Sequence, residues 1–548
     1  MTSGIQYDGC GIAGEFISGG CAMITGIDKI LRIAIMELVL VLGLSYQMVA
    51  QEAPKDAKPT ETKSGDQKPP ESPVPKEESS VTDHTIRIGG QTIPYKATAS
   101  TILLKNDKDE PTATIFSVAY TRSDVKDLSQ RPIAFAYNGG PGSASVWLHM
   151  GAFGPRRVMT PNAESAPPPP YKVEDNANSL LDKTDLVFID PVGTGYSRAV
   201  GKSQDKDFWG IDSDVKSFSQ FINIYVTRNN RWNSPKFLIG ESYGTFRSAA
   251  LSNYLQSNDG MYLNGIVLIS TVLDLGTLSF NPGDDMPYIF YLPSYAATAS
   301  YHNLLEDRPA DLNVFLNEVR QFASTEYASA LMKGSKLAEP EKAAVVKKLA
   351  RFTALSEDYL RKADLRVNLL QFMAELQRSR GLTTGRLDAR FSGPQTDLLA
   401  EFAAYDPLQA ATTGPFTAAF YSYVREELKF SQDRKYEVLN EEANHEWDWK
   451  HHAGQNFGFP GSPNVEGDLL QALVSNPHLQ VQAENGLFDL ATPFFATEYT
   501  MDHLELPQNL RPNISLEYYE AGHMMYLRDD SLAKLKVNIS TFVDKAAK

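Results

Sequence analysis

The chain has 548 residues, of which 42% are hydrophobic and 22% charged, so it is long enough for one large or two ordinary folded units. This excludes a peptide hormone, a disulfide knot and a mostly disordered chain. Acidic residues outnumber basic ones by 67 to 52, and a net charge of -15 repels phosphate backbones, so nucleic acid is not expected as a partner. The two cysteines, Cys10 and Cys21, leave the rest of the sequence with neither a disulfide nor a thiolate metal site.

Residues 1–50 have the layout of a leader with a signal peptide. Two basic residues precede an apolar run at 33–44, and Ala50 is the expected cleavage site. The run is too short to span a bilayer and no long apolar run follows, so the mature protein is expected to have no membrane span. A short buried helix is the alternative, because Glu37 interrupts the run and a carboxylate is costly to desolvate. We therefore expect a secreted protein, either periplasmic or extracellular.

Composition divides the rest of the chain into a linker and a folded body. Residues 51–82 are rich in proline, lysine and glutamate and poor in apolar residues, which predicts a disordered linker that cannot offset the entropy of folding. Residues 83–280 and 466–548 are predicted to form the two parts of one α/β core. Between them, residues 281–465 carry helical patterns and little strand signal, which predicts an inserted helical cap.

Within the core, three β-rich runs favour an antiparallel meander, after which apolar strands alternate with helices. Such alternation indicates a mixed, mostly parallel sheet with helices on both faces. The predicted strands are 85–88, 95–104, 113–120, 132–137, 185–190, 236–239, 265–269, 479–483 and 514–519, and the predicted helices of the core are 212–227, 242–255 and 531–545. Helical stretches of the cap are predicted at 311–333, 338–352, 356–380 and 413–429.

The sequence Gly240-Glu241-Ser242-Tyr243-Gly244 follows an apolar strand and precedes a helix. A serine on such a sharp strand-to-helix turn exposes its hydroxyl, and glycines two residues to either side allow the crowded backbone of the turn. The pattern therefore predicts a nucleophilic serine at position 242.

A nucleophilic serine needs a base, and the base needs an orienting acid. Asp489 and His523 each follow a late predicted strand, and the chain order Ser, Asp, His is that of hydrolases with an open sheet. We therefore predict a catalytic triad of Ser242, Asp489 and His523. The alternative is a capping aspartate and a surface histidine.

The segment 138–142, Asn-Gly-Gly-Pro-Gly, follows the strand that ends at Tyr137. Its glycines let the backbone approach a ligand closely. An oxyanion hole needs two backbone N–H groups, and we predict one from this glycine loop and one from Tyr243. A simple turn is the alternative.

A possible metal motif begins at His445-Glu446. A zinc protease would need a second histidine at position 449, which is Trp449 here. We therefore expect neither a metal nor a cofactor.

Four segments together resemble the serine carboxypeptidase family, whose members include cathepsin A and the yeast vacuolar carboxypeptidase. They are the glycine loop at 138–142, the sequence Phe-Ile-Asp-Pro-Val-Gly-Thr-Gly-Tyr-Ser at 188–197, the elbow at 240–244 and Gly-His-Met at 522–524. The resemblance implies an α/β-hydrolase fold with a helical cap between the elbow and the acid. It also implies a peptide substrate, from which C-terminal residues are removed through an acyl-enzyme. Ser143 stands where the family usually carries a cysteine, which indicates a bacterial-type member.

The resemblance also assigns roles to single residues. It implies that Ser242 is the nucleophile, His523 the base and Asp489 the orienting acid. It also implies that Gly140 and Tyr243 donate to the oxyanion. It further implies that substrate is bound by Asn138, Gly139 and Glu241, with Asn138 and Glu241 holding the terminal carboxylate of the peptide.

Two positions depart from the family pattern. The family usually has a tryptophan two residues before Asn138, and this chain has Ala136 there. The family also has a second glutamate, which would share a proton with Glu241, and this chain has Ala152 at that position. These departures leave open an esterase or acyltransferase that uses the same triad. A catalytically silent binding protein that keeps the elbow as a structural turn is a third hypothesis.

Overall fold

A computed structural model of the chain describes residues 73–451 and 461–548. These residues fall in one compact unit, Pro69–Lys548. The predicted signal peptide and its cleavage site at Ala50 lie outside the described residues. Within the described ranges, no helix is both long enough and apolar enough to cross a bilayer.

A ten-stranded sheet lies at the centre of the fold, in the order β1-β2-β3-β7-β4-β9-β10-β13-β14, with β8 paired to β3. Strands β1 to β3 form an antiparallel meander, and β3 pairs antiparallel with β7. The remaining neighbours in the sheet order, β7-β4-β9-β10-β13-β14, are parallel. The strands are β1 Ser79–Ile88, β2 Gln91–Lys105, β3 Pro111–Arg122, β4 Ile133–Tyr137, β5 Arg156–Val158, β6 Val173–Asp175, β7 Asp185–Ile189, β8 Arg198–Ala199, β9 Lys236–Glu241, β10 Gly265–Ile269, β11 Leu382–Thr384, β12 Ser392–Pro394, β13 Gln480–Gly486 and β14 Ile514–Tyr519.

The described helices cover both faces of this sheet and form the insertion. They are α1 Ile211–Arg228, α2 Tyr243–Asp259, α3 Met286–Tyr301, α4 Leu312–Phe322, α5 Ala328–Lys333, α6 Glu339–Thr353, α7 Glu357–Lys362, α8 Leu369–Glu375, α9 Pro407–Ser422, α10 Glu441–His445, α11 Glu466–Ser475, α12 Phe494–His503 and α13 Asp529–Ala546. Three π-helical turns occur at Leu148–Phe153, Ala323–Tyr327 and Tyr423–Glu427.

Two apolar layers hold the sheet between its helices. Successive side chains of a strand point to opposite faces, so Phe237 and Ile239 of β9 pack in one layer with α13, whereas Leu238 packs in the other with α1, α2 and α11. The central strands β4, β7, β9 and β10 are buried along their whole length, as the apolar runs predicted.

Two predicted boundaries differ in the structure, namely the end of the linker and the end of the cap. Strand β1 begins at Ser79, inside the predicted 51–82 linker, because residues 79–82 pair with β2. The cap was predicted to span residues 281–465, but its last part packs on the core. Isolated β-bridges join Leu439 to Ser143 and Asp448 to Gly210. This part of the insertion therefore belongs to the wall of the site described next.

Within the insertion, the predicted helix at 356–380 is two short helices, α7 and α8. Between them, Asp364 and Leu365 adopt φ of 48° and 67°, a backbone conformation that ends a helix. Helix α3 was not predicted, since it contains Pro293 and is buried on most sides rather than on one stripe. Helices α3 to α8 of the insertion share an apolar cluster that also includes Leu487, Phe488 and Leu490 of the core, whereas α9 packs in the same layer as α13.

Candidate active site

Ser242 lies between the end of β9 and the start of α2, with φ 60° and ψ -128°. A residue other than glycine in this region is strained by about 1–3 kcal/mol, and such strain is common where a side chain must be presented to a ligand. The flanking glycines are needed sterically. A Cβ on Gly240 would lie 2.1 Å from the carbonyl oxygen of Gly244, and one on Gly244 would lie 2.9 Å from the carbonyl oxygen of Tyr137.

Asp489 and His523 form a buried, directly hydrogen-bonded pair. His523 Nδ1 donates to Asp489 Oδ2 over 2.8 Å, which leaves Nε2 as the ring nitrogen available to a substrate or to Ser242. Asp489 is held in place by the backbone N–H groups of Ala491 and Thr492 at 2.7 and 3.0 Å and by the hydroxyl of Thr492 at 2.8 Å. The carboxylate therefore has a fixed orientation behind the imidazole.

The protonation of His523 is set by opposing effects. Burial acts to lower its pKa, but the charge and hydrogen bond of Asp489, with a smaller contribution from Glu241, outweigh burial and raise the pKa above its ordinary value. An imidazolium at this position is thus stabilised, as a general base that holds a proton during catalysis requires.

A cavity of about 400 Å³ brings the predicted residues together. Its lining includes the predicted nucleophile and base, the first residues of the glycine loop and the glutamate before the serine, namely Ser242, His523, Asn138, Gly139, Gly140 and Glu241. Asp489 is fully buried behind His523. All predicted triad residues therefore meet at the carboxyl ends of the parallel strands.

The glycine loop packs directly on the first turn of α2. A Cβ on Gly139 would lie 2.4 Å from the backbone nitrogen of Tyr243, so a side chain here would cover that N–H group. The Tyr243 ring is buried and stacked on Phe246 with ring centroids 5.6 Å apart, which leaves its backbone as the part that faces the loop. Gly140 has φ +105°, a region that favours glycine.

Glu241 is a buried carboxyl group beside the nucleophile. Burial raises its pKa to about 7, and the charge of His523 and the nearby Tyr526 hydroxyl and Asn138 amide only partly offset this effect. Among the described residues, its Oε2 has no hydrogen-bond partner. Near neutral pH, Glu241 therefore exists in both protonation states, and its protonated form can donate a hydrogen bond.

Sequence reasoning missed a buried ion pair that supports the glycine loop. Arg247 of α2 is fully buried, its Nε lies 2.6 Å from Asp214 Oδ2, and its Nη1 donates to the carbonyl oxygen of Asn138 over 2.8 Å. The signal that was available is an arginine in the turn after the elbow, where the neighbouring helical positions are small or apolar.

The insertion also contributes to the site through its backbone. The segment 386–390 lies between the acid and base loops, where Leu490 N–H donates to the carbonyl oxygen of Arg386 over 3.0 Å and His523 N–H donates to that of Leu387 over 2.6 Å. Arg386 and Leu387 are among the residues that line the cavity. No motif in the sequence marks this segment.

The folded body matches a known family of proteins. The family model described as serine carboxypeptidase matches residues 106–525. The pheromone-processing carboxypeptidase Kex1 of Saccharomyces cerevisiae is 31% identical over 145 residues, which are 25% of this chain and 19% of that protein. The aligned region thus spans about a fifth of the length of this curated relative.

A solved structure of Kex1, described as a prohormone-processing carboxypeptidase from Saccharomyces cerevisiae, is similar over 82% of this chain and 91% of its own, with 15% identity and a TM-score of 0.52. This likeness concerns the fold, and together with the mostly parallel sheet it confirms the predicted α/β-hydrolase fold. Because the family model covers most of the folded body, the predicted resemblance is confirmed as well. The chain belongs to the serine carboxypeptidase family.

Proposed function

We propose that this protein is a serine-type carboxypeptidase that hydrolyses C-terminal residues from peptides through an acyl-enzyme on Ser242. One observation carries the proposal. The hydrogen-bonded pair of His523 and Asp489 lies at the wall of a cavity that also contains Ser242 and the glycine loop.

In the first step, Ser242 Oγ attacks the scissile carbonyl carbon while His523 Nε2 accepts its proton. Asp489 stabilises the imidazolium, and the backbone N–H groups of Gly140 and Tyr243 donate to the oxyanion. His523 then returns the proton to the leaving nitrogen, and the C-terminal amino acid departs. In the second step, His523 removes a proton from water, which attacks the ester carbon. His523 then gives that proton to Ser242 Oγ as the ester bond breaks, which releases the shortened peptide and free Ser242.

The preference for a C-terminus is supported by polar groups in the lining of the cavity. Asn138 Oδ1 accepts from the backbone N–H of Leu148 over 3.0 Å, so its amide nitrogen remains as a donor. Gly139 lies in the same lining, and protonated Glu241 supplies a further donor. These donors suit the terminal carboxylate of a peptide.

An esterase or acyltransferase on the same triad is the second candidate function. It is favoured by Ala152, which is fully buried where a second proton-sharing glutamate would assist carboxylate binding. A silent binding protein is the third candidate, and the ordered acid–base pair argues against it. We also propose export to the periplasm or the exterior, on the basis of the predicted signal peptide.

One set of assays separates these functions. Rates are measured on N-blocked dipeptides with free and with amidated C-termini and on an N-blocked aryl ester, each with the wild type and Ser242→Ala. We expect turnover of the free-acid peptide that Ser242→Ala abolishes. Equal cleavage of free and amidated peptides would contradict carboxylate recognition, reaction of the ester alone would favour the esterase, and no turnover dependent on Ser242 would favour the silent protein.

A further inference from the structure

Arg386 is the one permanently cationic side chain among the residues that line the catalytic cavity. The other basic groups of the lining are the histidines His445 and His523, and its acids are Glu241 and Glu441. An arginine keeps its charge over the whole pH range in which enzymes work.

The backbone of Arg386 is fixed on both sides. Asp406 Oδ2 accepts from the N–H groups of Arg386 and Leu387, each over 2.9 Å, and the carbonyl oxygen of Arg386 accepts from Leu490. The Asp406 carboxylate is therefore engaged by backbone rather than by the guanidinium. The side chain starts from a rigid point beside the catalytic loops, which limits the positions that its charge can take.

Within the described part of the chain, the Arg386 guanidinium is unpaired, as those of Arg308 and Arg434 are, whereas three other arginines of the insertion are held by carboxylates. Arg320, Arg366 and Arg390 each form an ion pair within 2.7 Å of a carboxylate, with Glu498, Asp285 and Asp388 respectively. Among the described residues, the side chain of Arg386 has neither an ion pair nor a hydrogen bond, although the chain carries a net charge of -15. The residue is exposed and contributes to the lining of the cavity, so its guanidinium is free to bind an anion that enters there.

We propose that Arg386 binds the terminal carboxylate of the peptide substrate. This inference rests on the proposed carboxypeptidase function, because a C-terminal carboxylate is the one anion that every substrate of such an enzyme carries. A planar guanidinium matches a carboxylate with two parallel hydrogen bonds, which gives both energy and orientation.

The charges of the cavity explain why a cation is needed there. Asn138 is a neutral donor, and Glu241 donates only while it is protonated. Because the pKa of Glu241 is about 7, this group is an anion at higher pH and then repels the substrate carboxylate. Arg386, a cation in the same lining, offsets that repulsion. Carboxylate binding thus continues above neutral pH.

The test compares the wild type with Arg386→Gln and Arg386→Lys, and uses Arg308→Gln as a matched control. Arg308 is an exposed arginine of the same insertion, outside the cavity lining. The substrates are N-blocked dipeptides with neutral side chains and free or amidated C-termini, the corresponding aryl ester, and aryl esters with a glutamate or a glutamine side chain, at pH 5.5 and pH 8.

Loss of a charge-assisted hydrogen bond predicts a fall of about 10- to 100-fold in kcat/KM of Arg386→Gln on the free-acid peptide at pH 8, mainly through KM. The fall is expected to be smaller at pH 5.5, where Glu241 is protonated. Arg386→Lys should recover part of the loss. At pH 8, Arg386→Gln should stay within about twofold of the wild type on the ester and on the amidated peptide, and the Arg308→Gln control should do so on every substrate.

Three results would overturn the inference. An unchanged rate on the free-acid peptide would exclude contact with the carboxylate. An equal loss on peptide and ester would mean that Arg386 supports the catalytic loops instead. A loss confined to esters with a glutamate rather than a glutamine side chain would mean that Arg386 binds a side-chain carboxylate. Failure of the proposed function is distinct, since the wild type itself would then not prefer the free acid over the amidated peptide.

Discussion

Replacing Glu241 by glutamine tests both the electrostatics of the site and its role. Glu241 is 3% exposed, and burial raises its pKa from 4.5 to about 7. Between these two values, the folded state binds more protons at this group than the unfolded state does. The free energy of unfolding therefore falls as pH rises through this window, by about 3 kcal/mol for a pKa change of this size. Glu241→Gln cannot ionise and should lose this contribution.

The assay is denaturant unfolding of the wild type and Glu241→Gln at pH 4.5 and pH 8. Glu484 provides a matched control, because it is fully buried, its pKa is also raised by burial to about 7, and it lies outside the cavity lining. Each single variant should reduce the pH-dependent loss of stability by a similar amount. Only Glu241→Gln should also change the ratio of kcat/KM between free-acid peptides and esters.

Two results would refute this reasoning. If Glu241→Gln loses as much stability between pH 4.5 and pH 8 as the wild type does, Glu241 is not protonated in the folded state at neutral pH. If Glu241→Gln and Glu484→Gln alter substrate selectivity equally, the change at Glu241 acts through stability rather than through contact with the substrate.

Three further changes are expected to have distinct effects. Asp489→Asn should lower kcat by roughly four orders of magnitude with little change in KM, because the neutral amide favours the wrong imidazole tautomer; steady-state kinetics that show a loss under tenfold would contradict this. Gly139→Ala should lower kcat on the aryl ester at least 100-fold, since its Cβ would lie 2.4 Å from the Tyr243 nitrogen, and normal activity would exclude that N–H as an oxyanion donor. Arg247→Met should cost about 3–5 kcal/mol in urea unfolding by leaving Asp214 buried and unpaired. Adding Asp214→Asn should recover much of that loss, and additive losses would argue against the pair.

The elements around the triad could be predicted because each lies next to a strong local signal. The apolar strands that end at Tyr137 and Glu241 are buried along their whole length, so their hydrophobic runs are continuous and their ends are clear. Glycines lie close to both strand ends, and Cβ atoms on Gly139, Gly240 and Gly244 would collide with neighbouring backbone, which is why glycine appears there at all. Local sequence thus reports the geometry of the elbow and of the glycine loop.

The contribution of the insertion could not be predicted in this way. The backbone of Arg386 is positioned by the N–H group of Leu490 and by the carboxylate of Asp406, and no local pattern in the sequence pairs these distant residues. Likewise, Arg247 meets Asp214 from another helix, so the pairing depends on tertiary packing rather than on spacing along the chain. Long-range contacts of this kind become visible only in three dimensions.

The hydrogen bonds from Leu490 and His523 to residues 386 and 387 have a consequence for protein engineering. In a modular enzyme, a cap can be exchanged between relatives to alter substrate preference while the catalytic core is retained. Here the donor insertion would have to supply two carbonyl groups at the same places, or the loops that carry Asp489 and His523 would lose their support. A chimera with a transplanted insertion should therefore include both loops from the donor.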